Sequence, residues 1–154
     1  MKIALVAHDN RKRDLIEWAS HNAKVLTEHQ LIGTGTTITQ VRHALEYEIG
    51  IGGMPKGLPI EPKKLKSGPL GGDQELGAKI ANDKIDMLIF FWDPMAAQPH
   101  DPDIKALLRL SVLYNIPTAC NRSTADFLIS SPLFSDRSYH RIVKDYSEYI
   151  NRKT

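Results

Sequence analysis

The run Asp86-Met-Leu-Ile-Phe-Phe91, followed directly by Trp92-Asp-Pro94, decides the fold that we predict for this chain. A short, uninterrupted apolar run is typical of a strand buried on both faces, as in a parallel sheet covered by helices. In such sheets, ligands bind beyond the carboxyl ends of the strands. The polar residues after Phe91 are therefore predicted to lie at the ligand-binding edge.

Further apolar runs at residues 2–7, 30–33 and 116–119 also predict buried strands. Helical spacing of apolar residues alternates with them, over residues 11–22, 38–45, 76–81, 103–114, 124–129 and 145–152. Asp9 or Asn10 could cap the first of these helices, and the apolar residues predicted to face inward from the fourth are Leu107, Leu108, Leu110 and Val112. This alternation predicts an α/β fold: one doubly wound, mainly parallel sheet with helices on both faces. The length of 154 residues fits a single domain, and residues 49–66, rich in Gly and Pro, predict a loop insertion within it.

Composition excludes several classes of function. The net charge of +2 provides no basic footprint for nucleic acid. The apolar runs are too short to cross a membrane, and the charged residues after Ala7 end the first run too early for a signal peptide. The only cysteine, Cys120, cannot form an internal disulfide. We therefore expect a cytoplasmic protein that does not bind membranes.

The segment Thr34-Gly-Thr-Thr37 combines hydroxyls with backbone N–H groups at the start of a predicted helix. Unpaired N–H donors and the partial positive charge of a helix start favour a phosphate dianion. Ser67-Gly68 could add a second turn of donors, and Lys12 a cation. The alternative is an ordinary strand-to-helix turn in which a threonine caps the helix. Because the dinucleotide and P-loop fingerprints are absent, a small phosphate ester is the favoured ligand.

Two further clusters could carry acid–base chemistry. Asp73 follows two glycines, where the backbone can approach a ligand closely, and a carboxylate there could act as a general base. His100 follows the buried strand within His100-Asp-Pro-Asp103 and could face the same ligand. The alternatives are that Asp73 and Asp101 or Asp103 only cap helices, and that His100 is simply solvated. No set of residues has metal-ligand spacing.

Taken together, these motifs resemble the methylglyoxal synthase family, in order and over nearly the whole chain. The strings that carry the resemblance are Val6-Ala-His-Asp9, Thr34-Gly-Thr-Thr37, Ser67-Gly-Pro-Leu-Gly-Gly-Asp-Gln74, Phe90-Phe-Trp-Asp-Pro94, His100-Asp-Pro-Asp103, Ala106-Leu-Leu-Arg109 and Asn115-Ile-Pro117.

The resemblance implies a flavodoxin-like domain, usually a homohexamer, that converts dihydroxyacetone phosphate into methylglyoxal and inorganic phosphate without a metal or organic cofactor. It implies that Asp73 is the catalytic base, that His100 contacts the substrate oxygens, and that Asp9 and Asp103 are supporting carboxylates. It also implies inhibition by phosphate as a possibility. The residues implied to bind substrate are His8, Asp9, Lys12, Thr34, Gly35, Thr36, Thr37, Ser67, Gly68 and His100.

Two other functions remain open from the sequence. A non-catalytic, effector-binding regulatory domain would share this fold, although the presence of both Asp73 and His100 favours the enzyme. A nucleotide-binding module of flavodoxin type would also share it, but the missing fingerprints disfavour that function.

Overall fold

The computed structural model describes residues 1–50, 57–97 and 101–152. Within them, five parallel strands form one sheet in the order β3-β2-β1-β4-β5. The predicted doubly wound parallel sheet is therefore confirmed. The strands are β1 Lys2–Ala7, β2 Gln30–Thr34, β3 Lys63–Leu65, β4 Met87–Phe91 and β5 Thr118–Ala119.

Helices follow most of these strands and cover both faces of the sheet. They are α1 Lys12–His21, α2 Ala23–Leu26, α3 Gly35–Ile49, α4 Gly72–Ala81, α5 Asp101–Leu113, α6 Arg122–Ser130, α7 Pro132–Ser135 and α8 Ser147–Asn151, with short 3-10 turns at Asp9–Arg11 and Gly68–Leu70. None of the helices seen in the described ranges is long and apolar enough to cross a membrane.

The sheet separates two apolar cores, because successive side chains of a strand point to opposite faces. In β1, Ile3 and Leu5 face the core that contains Trp18, whereas Ala4 and Val6 face the other core. α1, α3 and α6 supply the first core, and α4 and α5 supply the second. This two-sided burial explains why β1 and β4 read as continuous apolar runs.

The chain reverses its direction of winding beside β1. β2 and β3 lie on one side of β1, whereas β4 and β5 lie on the other. Connections leaving the carboxyl ends of β1 and β4 therefore diverge, and this divergence opens a crevice of the kind in which α/β proteins bind ligands. The strand order of flavodoxin, 2-1-3-4-5, differs from this one, so the likeness to flavodoxin lies in the layered architecture.

One strand was missed and one local prediction was wrong. Lys63–Leu65, at the end of the predicted insertion, form the edge strand β3 and pair with β2; residues 51–56 of that insertion lie outside the described part, and the insertion itself remains a prediction. Val112 was predicted to face inward from α5, but 82% of it is exposed. The buried face of α5 is formed by Ile104 and Leu107, one turn apart, with Ser111 one turn further.

Candidate active site

A cleft opens at the carboxyl edge of the sheet, at the point where the winding reverses. Three turns border it: the one after β1, the bend between β2 and α3, and the turn between β3 and α4. Its lining residues are Val6, Ala7, His8, Asp9, Lys12, Thr34, Gly35, Thr36, Thr37, Ser67, Gly68, Pro69, Asp73, Phe90 and Ile104. Ten of the residues predicted from the sequence are thus brought together in one place.

The bend between β2 and α3 presents a helix start to the cleft. Thr34 is the N-cap residue of α3, but its side chain makes no capping hydrogen bond, so the alternative of an ordinary hydroxyl cap is not what the structure contains. Gly35 has φ +46°, a left-handed conformation that glycine adopts without strain. Its N–H donates to the carbonyl of Lys66 at 3.2 Å. The N–H groups available to an anion are therefore those that follow Gly35 in the first turn of α3.

The bend between β2 and α3 is in close contact with the turn between β3 and α4. A Cβ atom on Gly35 would lie 3.0 Å from the Cβ of Ser67. The carbonyl of Ser67 accepts hydrogen bonds from the N–H groups of Leu70 and Gly72, both at 3.0 Å. These bonds fix the Ser67 turn on the start of α4. The two turns thus form one continuous rim around the cleft.

Lys12, the first residue of α1, brings a positive charge to this rim. Its Nζ lies 2.8 Å from the hydroxyl of Thr36 and 2.5 Å from a carboxylate oxygen of Asp9. The hydrogen bond and charge of Lys12 lower the pKa of Asp9 below its ordinary value. The ammonium group is therefore held beside the N-terminus of α3, where both would attract an anion.

Asp73 lies in the first turn of α4 and is buried, with only 5% of its surface exposed. The N-cap of α4 is Gly71, at φ +95°, so Asp73 is not the capping residue. Asp73 thus lies at the positive end of the α4 dipole. A carboxylate that is shielded from bulk water and faces a cleft can act as a general base.

His8 follows β1 and is held by the turn after β4. Its Nδ1 accepts a hydrogen bond from the backbone N–H of Asp93 at 3.2 Å, so the neutral ring carries its proton on Nε2. The side chain of Asp93 in turn accepts hydrogen bonds from Asn10 Nδ2 at 2.9 Å and from the N–H of Met95 at 3.1 Å. These two bonds, that of Asn10 foremost, lower the pKa of Asp93. His8 is therefore oriented as a hydrogen-bond donor through Nε2.

This network was not predicted from the sequence. Asn10 was expected to cap the following helix, but its amide reaches across to Asp93 instead. Asp93 was noted only as a polar residue after the buried strand. The signal that could have found the pair is the position of each residue directly after adjacent parallel strands, β1 and β4.

Two predicted residues are not placed in the cleft. His100 lies outside the described residues, so its role remains a prediction. Asp103 occupies the first turn of α5, next to Ile104, which lines the cleft. Asp103 itself is not part of the described lining, and its supporting role likewise remains a prediction.

Comparison with known proteins identifies relatives of this chain. A family model described as an MGS-like domain matches residues 54–120. Curated proteins named methylglyoxal synthase from Leptospira interrogans and Coxiella burnetii are 50% and 53% identical to the chain over 151 residues. These alignments cover 98% of this chain and 93% and 96% of the two relatives.

The fold is likewise similar to that of a methylglyoxal synthase. The crystal structure of methylglyoxal synthase from Elizabethkingia anophelis superposes with a TM-score of 0.82 at 48% identity, covering 99% of this chain and 91% of that one. Similarity in sequence and in structure, each over nearly the full length, leads to one assignment. The chain belongs to the methylglyoxal synthase family.

Proposed function

We propose that the chain converts dihydroxyacetone phosphate into methylglyoxal and inorganic phosphate. The observation that carries this proposal is that Asp73 and a phosphate-binding rim line the same cleft. The rim is cationic and rich in hydroxyls, and it consists of Lys12 and the turns at Thr34–Thr37 and Ser67. A triose phosphate has an acidic C–H at one end and a dianion at the other. The cleft offers a carboxylate for the first and a helix start with an ammonium group for the second.

In the proposed reaction, Asp73 removes a proton from the hydroxymethyl carbon and an enediolate forms. His8, through its Nε2 proton, and His100, by resemblance, donate hydrogen bonds to the negative oxygen. Donors already fixed in position stabilise such charge without reorganising. The hydrogen bond from Asp93 is what fixes the His8 ring in the required tautomer.

The C–O bond to phosphate then breaks, with its electrons leaving on phosphate. The hydroxyl on the deprotonated carbon gives its proton to the departing phosphate and becomes the aldehyde. The enolate that remains takes a proton on the carbon that carried the phosphate and becomes methylglyoxal. Elimination requires that this C–O bond stands perpendicular to the enediolate plane, because only then does its antibonding orbital overlap the π electrons. Lys12 and the N-terminus of α3 would hold the phosphate in that orientation and neutralise its growing charge. The base and donors are side chains, so the proposed reaction uses no metal or organic cofactor.

The direct test uses the purified chain and dihydroxyacetone phosphate, with methylglyoxal and phosphate followed together. Release of the two products in equal amounts is expected. Binding of the triose phosphate without turnover would instead support the non-catalytic, effector-binding domain. Release of phosphate with no methylglyoxal would contradict the elimination.

Lys12→Ala is expected to weaken the binding of both substrate and inorganic phosphate by about tenfold or more, since a hydrogen bond to a charged group contributes about 1.5–3 kcal/mol. Isothermal titration with phosphate and the KM for substrate measure the effect. Lys24→Ala, at an exposed position on α2, is the matched control and should leave both unchanged. Unchanged phosphate affinity in Lys12→Ala would remove this lysine from the proposed rim.

We further propose a homohexamer, on the resemblance to the family. Contacts between copies would cover apolar side chains that are exposed in the single chain. Those most exposed include Val112 at 82%, Phe127 at 79% and Ile142 at 85%. A triose phosphate is a charged metabolite that does not cross membranes freely, so we place the reaction in the cytoplasm, where it would bypass part of glycolysis. Inhibition by phosphate would follow from product binding at the same rim.

A further inference from the structure

A second groove lies at the outer edge of the sheet, away from the cleft. It runs between the edge strand β3 and α4, and four lysines line it, together with one carboxylate. Its residues, which we call the lysine groove, are Lys63, Lys64, Leu65, Glu75, Ala78, Lys79, Asn82 and Lys84.

The geometry of the lysine groove follows from two periodicities. Along α4, Glu75, Ala78, Lys79 and Asn82 recur at the spacing of one helical face. Along β3, Lys63 and Lys64 point to opposite faces of the sheet. Both of these lysines are exposed, whereas Leu65 is buried and anchors the strand on the second core. Positive charge therefore flanks the edge strand on both of its faces.

Among the residues that the structure describes, the lysines of the groove take part in no ion pair. The ion pairs of the described residues use other cations: Arg11, Lys12, Arg42, Arg122 and Arg141. Glu75 is the one carboxylate among the groove's described residues. A partner that enters the groove therefore meets ammonium groups free to pair with carboxylates.

The backbone of β3 adds a second element of recognition. β3 is the terminal strand of the described sheet and pairs on one side with β2. An edge strand presents N–H and C=O groups that an extended peptide can pair with. Neither aromatic side chains nor arginines, which stack on nucleic-acid bases, are among the described residues that line the groove. We infer that the lysine groove binds an extended, acidic peptide segment, which adds a strand beside β3 and places its carboxylates among the four lysines. This site lies outside the proposed catalytic function and does not depend on it.

The simplest competing explanation is that these lysines only protect the edge from aggregation, as lysines on edge strands commonly do. In that case an acidic strand would not bind with any stereochemical preference. Pairing with the backbone of β3, by contrast, depends on the handedness of the incoming chain. The two explanations therefore give different results with peptides of opposite chirality.

The test is fluorescence anisotropy with a labelled, blocked eight-residue peptide in which pairs of L-glutamates alternate with pairs of valines. The full-length protein is expected to bind it, at least threefold more tightly than the all-D peptide. Lys63→Glu/Lys79→Glu should weaken binding tenfold or more. Lys24→Glu/Lys105→Glu makes the same change in net charge at exposed positions outside the groove and should have much less effect.

The inference would be overturned by no binding at low ionic strength, by equal affinity for the L and D peptides, or by equal losses in the two double variants. Tighter binding of a single-stranded oligonucleotide of equal charge would also overturn it, in favour of a nucleic-acid surface. Turnover of dihydroxyacetone phosphate by Lys63→Glu/Lys79→Glu, measured in parallel, reports separately on the proposed catalytic function.

Discussion

Asp73→Asn is expected to lower turnover by a factor of at least about 100, the lower end of what a positioned general base contributes. Asparagine keeps the size and shape of the side chain but cannot accept the substrate proton. Asp73 is buried in the first turn of α4 and faces the cleft, so no bulk solvent base can readily replace it. Steady-state formation of methylglyoxal measures the loss, and phosphate affinity should change little.

Glu75→Gln is the matched control for this substitution. Glu75 lies in the same first turn of α4, so its neutralisation removes a similar interaction with the helix dipole, about 0.3–1 kcal/mol. Its side chain, however, lines the lysine groove and not the cleft. Turnover should therefore be nearly normal in Glu75→Gln. Near-normal turnover in Asp73→Asn as well would show that another group is the base.

Gly72→Ala is expected to impair the enzyme by a different route. A Cβ atom at this position would lie 2.1 Å from the carbonyl oxygen of Lys66, so the backbone must move. That movement would separate the Ser67 turn from the start of α4, and hence the phosphate rim from Asp73. A misplacement of about 1 Å can cost a factor of about 100 in rate. Overpacking of this kind also lowers the free energy of unfolding by about 1–3 kcal/mol.

Gly71→Ala distinguishes the loss of geometry from a general loss of stability. Gly71 has φ +95°, so alanine there is strained and costs about 1–2 kcal/mol. The nearest atom to its new Cβ, Oε1 of Gln74, is 3.8 Å away, which is ordinary contact. Chemical denaturation should show both variants destabilised, while kcat/KM of the folded protein should fall far more in Gly72→Ala. Equal activities in the two variants would contradict the proposed role of Gly72.

The fold could be predicted where local sequence and tertiary environment impose the same pattern. The apolar runs of β1 and β4 are continuous because both faces of these strands are buried. The sequence of each run therefore indicates the burial directly. β3 could not be predicted in this way. Lys63-Lys64-Leu65 has no strand pattern of its own and forms a strand because β2 provides a partner. Likewise, the packing of α5 decides which of its faces is buried. For that reason Val112 was wrongly predicted to face inward.

The residues of the cleft could be named from the sequence, since hydroxyl-rich and glycine-rich turns after buried strands carry a local signal. The distances between these residues could not be predicted from the sequence. The Gly35 bend meets the Ser67 turn only because the strands lie side by side in the sheet. The same holds for the contact of Asn10 with Asp93, which are 83 positions apart in the chain. The sequence by itself determined the alternation of strands and helices and the chemistry at their ends. The tertiary structure alone decided which ends meet, because strand order and winding, not local preference, set the distances between residues far apart in the chain.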